Sequence, residues 1–207
     1  MGDAGAGGVE PSRWVEITRE NPAHSSWYVE RFRSMTAAGD DLAGEARFVD
    51  AMVPRGARIL DAGCGPGRVG SALARAGHEV VGIDVDPVLI AAAEEDHPGP
   101  RWLVGDLAEL DLPAMGITDG FDAIVCVGNV MPFLAASTRA TVLDRFRVHL
   151  RPGGRVAVGF GAGRGYGFDE FLADVERVGL RADVLLESWD LRPFTEASEF
   201  VVAILAV

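Results

Sequence analysis

The sequence predicts an α/β fold: a doubly wound, mostly parallel seven-stranded sheet that ends in an antiparallel C-terminal hairpin strand. Three observations carry that reading. Five short apolar runs, "ARILDA", "HEVVGID", "RWLVGD", "FDAIVCVG" and "GRVAVGF", follow one another from Ala57. Most are separated by segments with helical spacing. None alternates strictly, as strands buried on both faces need not. The last two runs, "RADVLLESWD" and "EFVVAILAV", have no helix between them. Adjacent strands on a short connection pair antiparallel.

The elements follow in order. Residues 1–12, "MGDAGAGGVEPS", are glycine-rich and acidic, lack the basic and apolar regions of a signal peptide, and are expected to form a disordered tail. Residues 13–54 form a helical cap in this reading, with amphipathic helices over "SSWYVERFRSM" and "DLAGEARFVDAM". Residues 55–207 make the α/β domain, the chain being one domain overall. "RVGSALARAG", "PVLIAAAEED" and "STRATVLDRFRVHL" are its linking helices, the last stopped by "RPGG". "FDEFLADVERVG" is a further helix, with Gly179 as its C-cap. Asp86-Pro87 reads as an N-cap followed by proline at the first helical position.

Composition narrows the function. The formal net charge is −12, which opposes a polyanionic partner, so no nucleic-acid substrate is expected. All 19 basic residues are arginine, and the absence of lysine excludes lysine-dependent chemistry. No apolar run is long enough to span a membrane. Two cysteines, Cys64 and Cys126, are too few for a disulfide framework, and a reducing cytoplasm is the expected compartment. No cluster of His, Cys and carboxylates has metal-ligand spacing, so no metal is assigned.

The turn after the first strand is the richest stretch. Read from Gly65, "GPGRVG" satisfies G-x-G-x-x-G, the nicotinamide dinucleotide fingerprint; read from Asp61, "DAGCGPG" is D-x-G-x-G-x-G. Either way a strand gives way to a helix, and the ligand touches backbone. A pyrophosphate would sit poorly against Asp61, whereas an acid suits a cationic ligand end. Asp84 closes the second strand, where a carboxylate accepts ribose hydroxyls. Asp106 closes the third.

These residues resemble the motifs of class I S-adenosylmethionine-dependent methyltransferases of the small-molecule type, over roughly residues 40–207. "DAGCGPG", "VVGIDVDP", "LVGDL", "FDAIVCVGNVMPFL" and "RPGGRVAVGF" occur in the family's order and spacing. The resemblance implies S-adenosyl-L-methionine as cofactor and S-adenosyl-L-homocysteine as product. Cofactor contacts are then implied for Asp61, Gly63, Cys64 (through its backbone), Gly65, Gly67, Asp84, Val85, Asp106, Leu107 and Asn129. Asp106 would receive the adenine amino group beside the Leu107 N–H. On this reading Gly70 completes the dinucleotide pattern by accident, its small size suiting a helix packed on a sheet.

The acceptor is less defined. The Asn/Asp-Pro-Pro-aromatic run of many amino-group methyltransferases is not matched by Asn129-Val130-Met131-Pro132-Phe133. Met131 and Phe133 imply an apolar pocket. In "NPAHSSWYVERF", Tyr28 and Arg31 can close over the methionine carboxylate, Trp27 can line the acceptor site, and His24 is the one candidate proton acceptor. Equally, this segment reads as a core-packing helix. Arg164 and Tyr166 of "GAGRGYGF" are further acceptor candidates, Arg164 pairing with a carboxylate or phosphate or simply solvated. Two other readings stand beside methyl transfer: a non-catalytic S-adenosylmethionine-binding protein, and a nicotinamide-dependent oxidoreductase.

Overall fold

The computed structural model describes residues 8–207. Its strands are β1 (Arg58–Ala62), β2 (Glu79–Asp84), β3 (Arg101–Val104), β4 (Phe121–Cys126), β5 (Leu150–Gly161), β6 (Arg181–Leu186) and β7 (Phe200–Ala206). They form one sheet in the order β3-β2-β1-β4-β5-β7-β6. β1 to β5 are mutually parallel, and β7 runs antiparallel to both β5 and β6. β1 and β4 are neighbours, with Asp61 opposite Val125. Ile59, Leu60, Ala62, Ile124, Val125, Val156 and Val158 are almost wholly excluded from solvent, because helices cover both faces of the sheet.

Helices α4 (Arg68–Arg75), α5 (Pro87–Asp96), α6 (Val130–Phe133), α7 (Arg139–His149) and α8 (Phe168–Arg177) come from the α/β part; α1 (Arg13–Glu20), α2 (His24–Ala37) and α3 (Gly44–Met52) precede it. α2 and α3 match the two expected helices, with shifted ends. α1 was not foreseen: Ser12 accepts from the Val15 N–H as its N-cap, and none of its residues is buried. The tail reading for residues 1–7 lies outside the described residues. Residues 8–12 run irregularly into α1, with Glu10 accepting from the Ser137 hydroxyl.

Asp86 caps α5 through the Val88 N–H, as the Asp-Pro pair predicts. Its other oxygen accepts from Trp14 Nε1 at 2.8 Å and from Ser25 Oγ at 2.5 Å. One carboxylate therefore starts α5 and fastens α1 and α2 to it. Trp102, whose Nε1 donates to the His97 carbonyl, packs where three glycines leave room. A Cβ at Gly67, Gly70 or Gly82 would stand 3.0, 2.9 and 2.3 Å from its ring. This gives the third glycine of "GPGRVG" a packing reason: space for an indole and for Asp61 Oδ2, also 2.9 Å from such a Cβ.

Candidate active site at the C-terminal strand ends

At the C-terminal ends of β1, β2 and β4 the chain leaves a cavity of about 380 Å³, within the range of ligand pockets. The glycine turn forms its floor. Gly63, Gly65 and Gly67 have φ of +78°, +54° and +84°, conformations that side chains resist. A Cβ on Gly63 would collide with Val130 at 2.5 Å. At Gly65 the nearest atom is Tyr28 Cε1 at 3.8 Å, so its backbone faces the cavity. The turn is tied to β2 by the Gly63 and Cys64 N–H groups, which both donate to the Ile83 carbonyl.

Two carboxylates line this wall. Asp61, 1% exposed, accepts from the Gly70 N–H through Oδ2 at 2.8 Å. Asp84 accepts from the Gly65 N–H at 2.9 Å and the Asp86 N–H at 3.0 Å. Burial raises Asp61 to about 7 and Asp84 to about 6, because the backbone donors compensate desolvation only in part. Such a wall suits a ligand that brings positive charge and hydroxyl donors. Asp106 also lines the cavity, its Oδ1 taking the Ala108 N–H at 2.8 Å. Cys64 and Cys126 are buried thiols outside any disulfide, both pushed upward by burial.

The opposite wall belongs to α2, where Tyr28, Arg31 and Phe32 line the cavity. Burial raises the Tyr28 phenol, and its ring meets Trp14 and Phe32 edge-on at 5.1 and 5.0 Å. Arg68 also reaches the cavity, held by both oxygens of Glu45 at 2.7 Å. Val130, Phe133 and Leu134 make an apolar end beyond β4. There Asn129, at φ +67°, accepts from the Gly161 N–H through Oδ1 at 2.9 Å and links the ends of β4 and β5.

The structure thus brings Asp61, Gly63, Cys64, Gly65, Asp84, Val85, Asp106, Leu107, Asn129, Tyr28, Arg31, Phe133 and Arg164 around one cavity. Gly67 stands behind the turn as the N-cap of α4. Four expected contacts fall elsewhere. Tyr166 is turned into the core, stacked on Phe160 at 5.7 Å, with its hydroxyl donating to Asp174 at 2.7 Å. Met131 is 1% exposed within the main core cluster. His24 is flanked by Trp14 and Trp27 at 5.1 and 5.4 Å, outside the cavity lining, and Trp27 is 55% exposed. Residues without an earlier assignment, Ser12 and Trp14, complete the wall. The serine's capping preference before a helix was the available signal.

A methyltransferase-domain family model matches residues 59–154. An uncharacterized methyltransferase of Mycobacterium bovis is 40% identical over 114 residues, or 54% of this chain and 54% of that protein. The chain thus spans about half the length of these curated relatives. The solved TehB-like S-adenosylmethionine-dependent methyltransferase of Corynebacterium glutamicum is 51% identical, covers 90% of this chain and 99% of its own, and superposes with a TM-score of 0.85. The CcbJ methyltransferase of Streptomyces caelestis, 19% identical over 81% of this chain and 95% of its own with a TM-score of 0.71, shares the fold. With half its residues identical across nearly the whole of a solved relative, the chain belongs to the S-adenosylmethionine-dependent methyltransferases.

Proposed function

We propose that this chain transfers a methyl group from S-adenosylmethionine to a small-molecule acceptor inside the cavity, beneath a cap made by residues 13–54. The observation that carries the reading is the pairing of a carboxylate-lined glycine turn with an apolar end in one cavity. When bound, the cofactor supplies a methyl group on an already activated sulfur. The protein's task is then to hold, orient and dehydrate.

Asp84 is suited to accept from the ribose hydroxyls, its carboxylate held by two backbone donors. Asp61 suits the cationic amino-acid end, and the raised Asp61 and Asp84 groups ionise when positive charge or donors arrive. Asp106 and Leu107 suit the adenine edge, and Tyr28 and Arg31 the carboxylate. Val130, Phe133 and Leu134 exclude water from the acceptor end. A net charge of −12 favours a small acceptor over a nucleic acid, and a cytoplasmic setting agrees with two unpaired buried thiols.

Thermal unfolding with S-adenosylmethionine, S-adenosylhomocysteine, NAD and NADP tests the cofactor. A ligand at a hundred times its Kd adds about 2.7 kcal/mol, roughly 5–10 °C at this size. A shift with the two adenosyl-sulfur compounds alone is expected; a shift with the dinucleotides alone overturns the proposal. Methyl incorporation from labelled cofactor across acceptor classes then tests turnover, and binding without turnover would leave a sensor.

A further inference from the structure

The loop between β5 and α8, residues 162–167, is glycine-rich yet firmly held. Arg164 stands between Gly163 at φ +71° and Gly165 at φ +83°. Its guanidinium lines the cavity, and its Nε is 3.4 Å from where a Gly161 Cβ would be. Both sides of the loop are anchored. Behind it, Arg139 is only 6% exposed, gives Nη2 to the Gly165 carbonyl at 2.8 Å and lies 4.2 Å from the Tyr166 ring centre. Arg139 also pairs with Glu170 at 3.3 Å, while its Nε has no partner among the described residues. In front, Asn129 holds the Gly161 N–H at 2.9 Å.

A buried guanidinium with an unmet donor is costly. A surface loop with solvated side chains has no need of it. A loop that must hold one side chain in a fixed place does. Arg164 has no carboxylate partner among the described residues, unlike Arg68, which Glu45 neutralises. It follows β5, three strand intervals from Asp84 on β2, or about 14 Å at ordinary strand spacing. Arg164 therefore faces the acceptor end, whereas Arg31 stands beside Tyr28 over the glycine turn.

We propose that Arg164 anchors the acceptor through a carboxylate, and that Arg139 is the positioning residue that sets the loop for this contact. This rests on the methyl-transfer reading above. A single guanidinium fork matches a planar monoanion with two parallel hydrogen bonds. The chain's overall charge of −12 opposes a dianion more than a monoanion. The apolar walls of Val130, Phe133 and Leu134 suit a carbon skeleton attached to that carboxylate.

The test is thermal unfolding of the full chain with saturating S-adenosylhomocysteine, then with benzoate, hexanoate, benzamide or phenyl phosphate at equal ionic strength. At least one carboxylate is expected to raise the midpoint further, by roughly 3–6 °C at ten times its Kd, and benzamide is not. Arg164→Gln should abolish that increment and keep the S-adenosylhomocysteine shift. Arg139→Lys should raise the carboxylate Kd about tenfold while the S-adenosylhomocysteine Kd stays unchanged, a split that general destabilisation would not produce.

No increment with either carboxylate, while S-adenosylhomocysteine still shifts the midpoint, overturns the proposal and leaves methyl transfer standing. An increment that survives Arg164→Gln, or that phenyl phosphate gives in preference, overturns it as well. Failure of S-adenosylhomocysteine itself removes both readings.

Discussion

At the level of single residues, Asp61 and Asp84 set a pH response. Each carboxyl starts from an ordinary value of 3.8, and burial moves Asp61 to about 7 and Asp84 to about 6. Between roughly pH 4 and 7 the native chain without added ligand binds more protons than the unfolded chain, so stability falls as pH rises through that window. Asp61→Asn keeps an acceptor for the Gly70 N–H and removes the penalty. At pH 8 it should gain about 1–3 kcal/mol, roughly 2–10 °C, while weakening S-adenosylmethionine binding at least tenfold. Paired melting and titration curves check this, and an unchanged midpoint at pH 8 would refute it. S-adenosylmethionine binding near pH 6 should release protons, measured by calorimetry in buffers of different ionisation enthalpy. Asp84→Ala should weaken the cofactor without unfolding the chain. These acids were legible because each ends an apolar run, where a parallel sheet exposes its chemistry. Tyr166 and Met131 were not. Composition marks a segment as loop or strand end, but the inward turn of one side chain depends on distant partners such as Asp174 and Phe160.

Among the elements, α1, α2 and α5 depend on one another through Asp86. Asp86→Ala removes an N-cap and leaves Trp14 Nε1 and Ser25 Oγ without their acceptor. The expected loss is about 2–4 kcal/mol by denaturant titration, with faster proteolysis between residues 8 and 37. An ordinary capping loss with unchanged proteolysis would show that the fastening does not matter. Gly70→Ala should cost about 1–3 kcal/mol, because its methyl meets both Trp102 and Asp61. The Asp-Pro cap of α5 and the helix-free link before β7 could be read directly from local chemistry. α1 could not: an 8-residue helix with no buried residue leaves little apolar periodicity, and Asp86, 72 residues from Trp14, helps hold it in place.

For the whole molecule, one sheet sets the layout: the carboxylate-lined end over β1 and β2, the apolar end beyond β4, and the Arg164 loop after β5. The order of motifs along the chain revealed most of this arrangement, since each strand end contributes in turn to the same rim. The position of β7 has a further consequence. It lies between β5 and β6, although β6 precedes it in the chain. β6 is therefore made before the strand that joins it to the sheet. Its only partner in the sheet is Phe200–Ala206, so β6 joins the fold only once that strand lies between it and β5. The sheet is completed from within rather than extended at its edge.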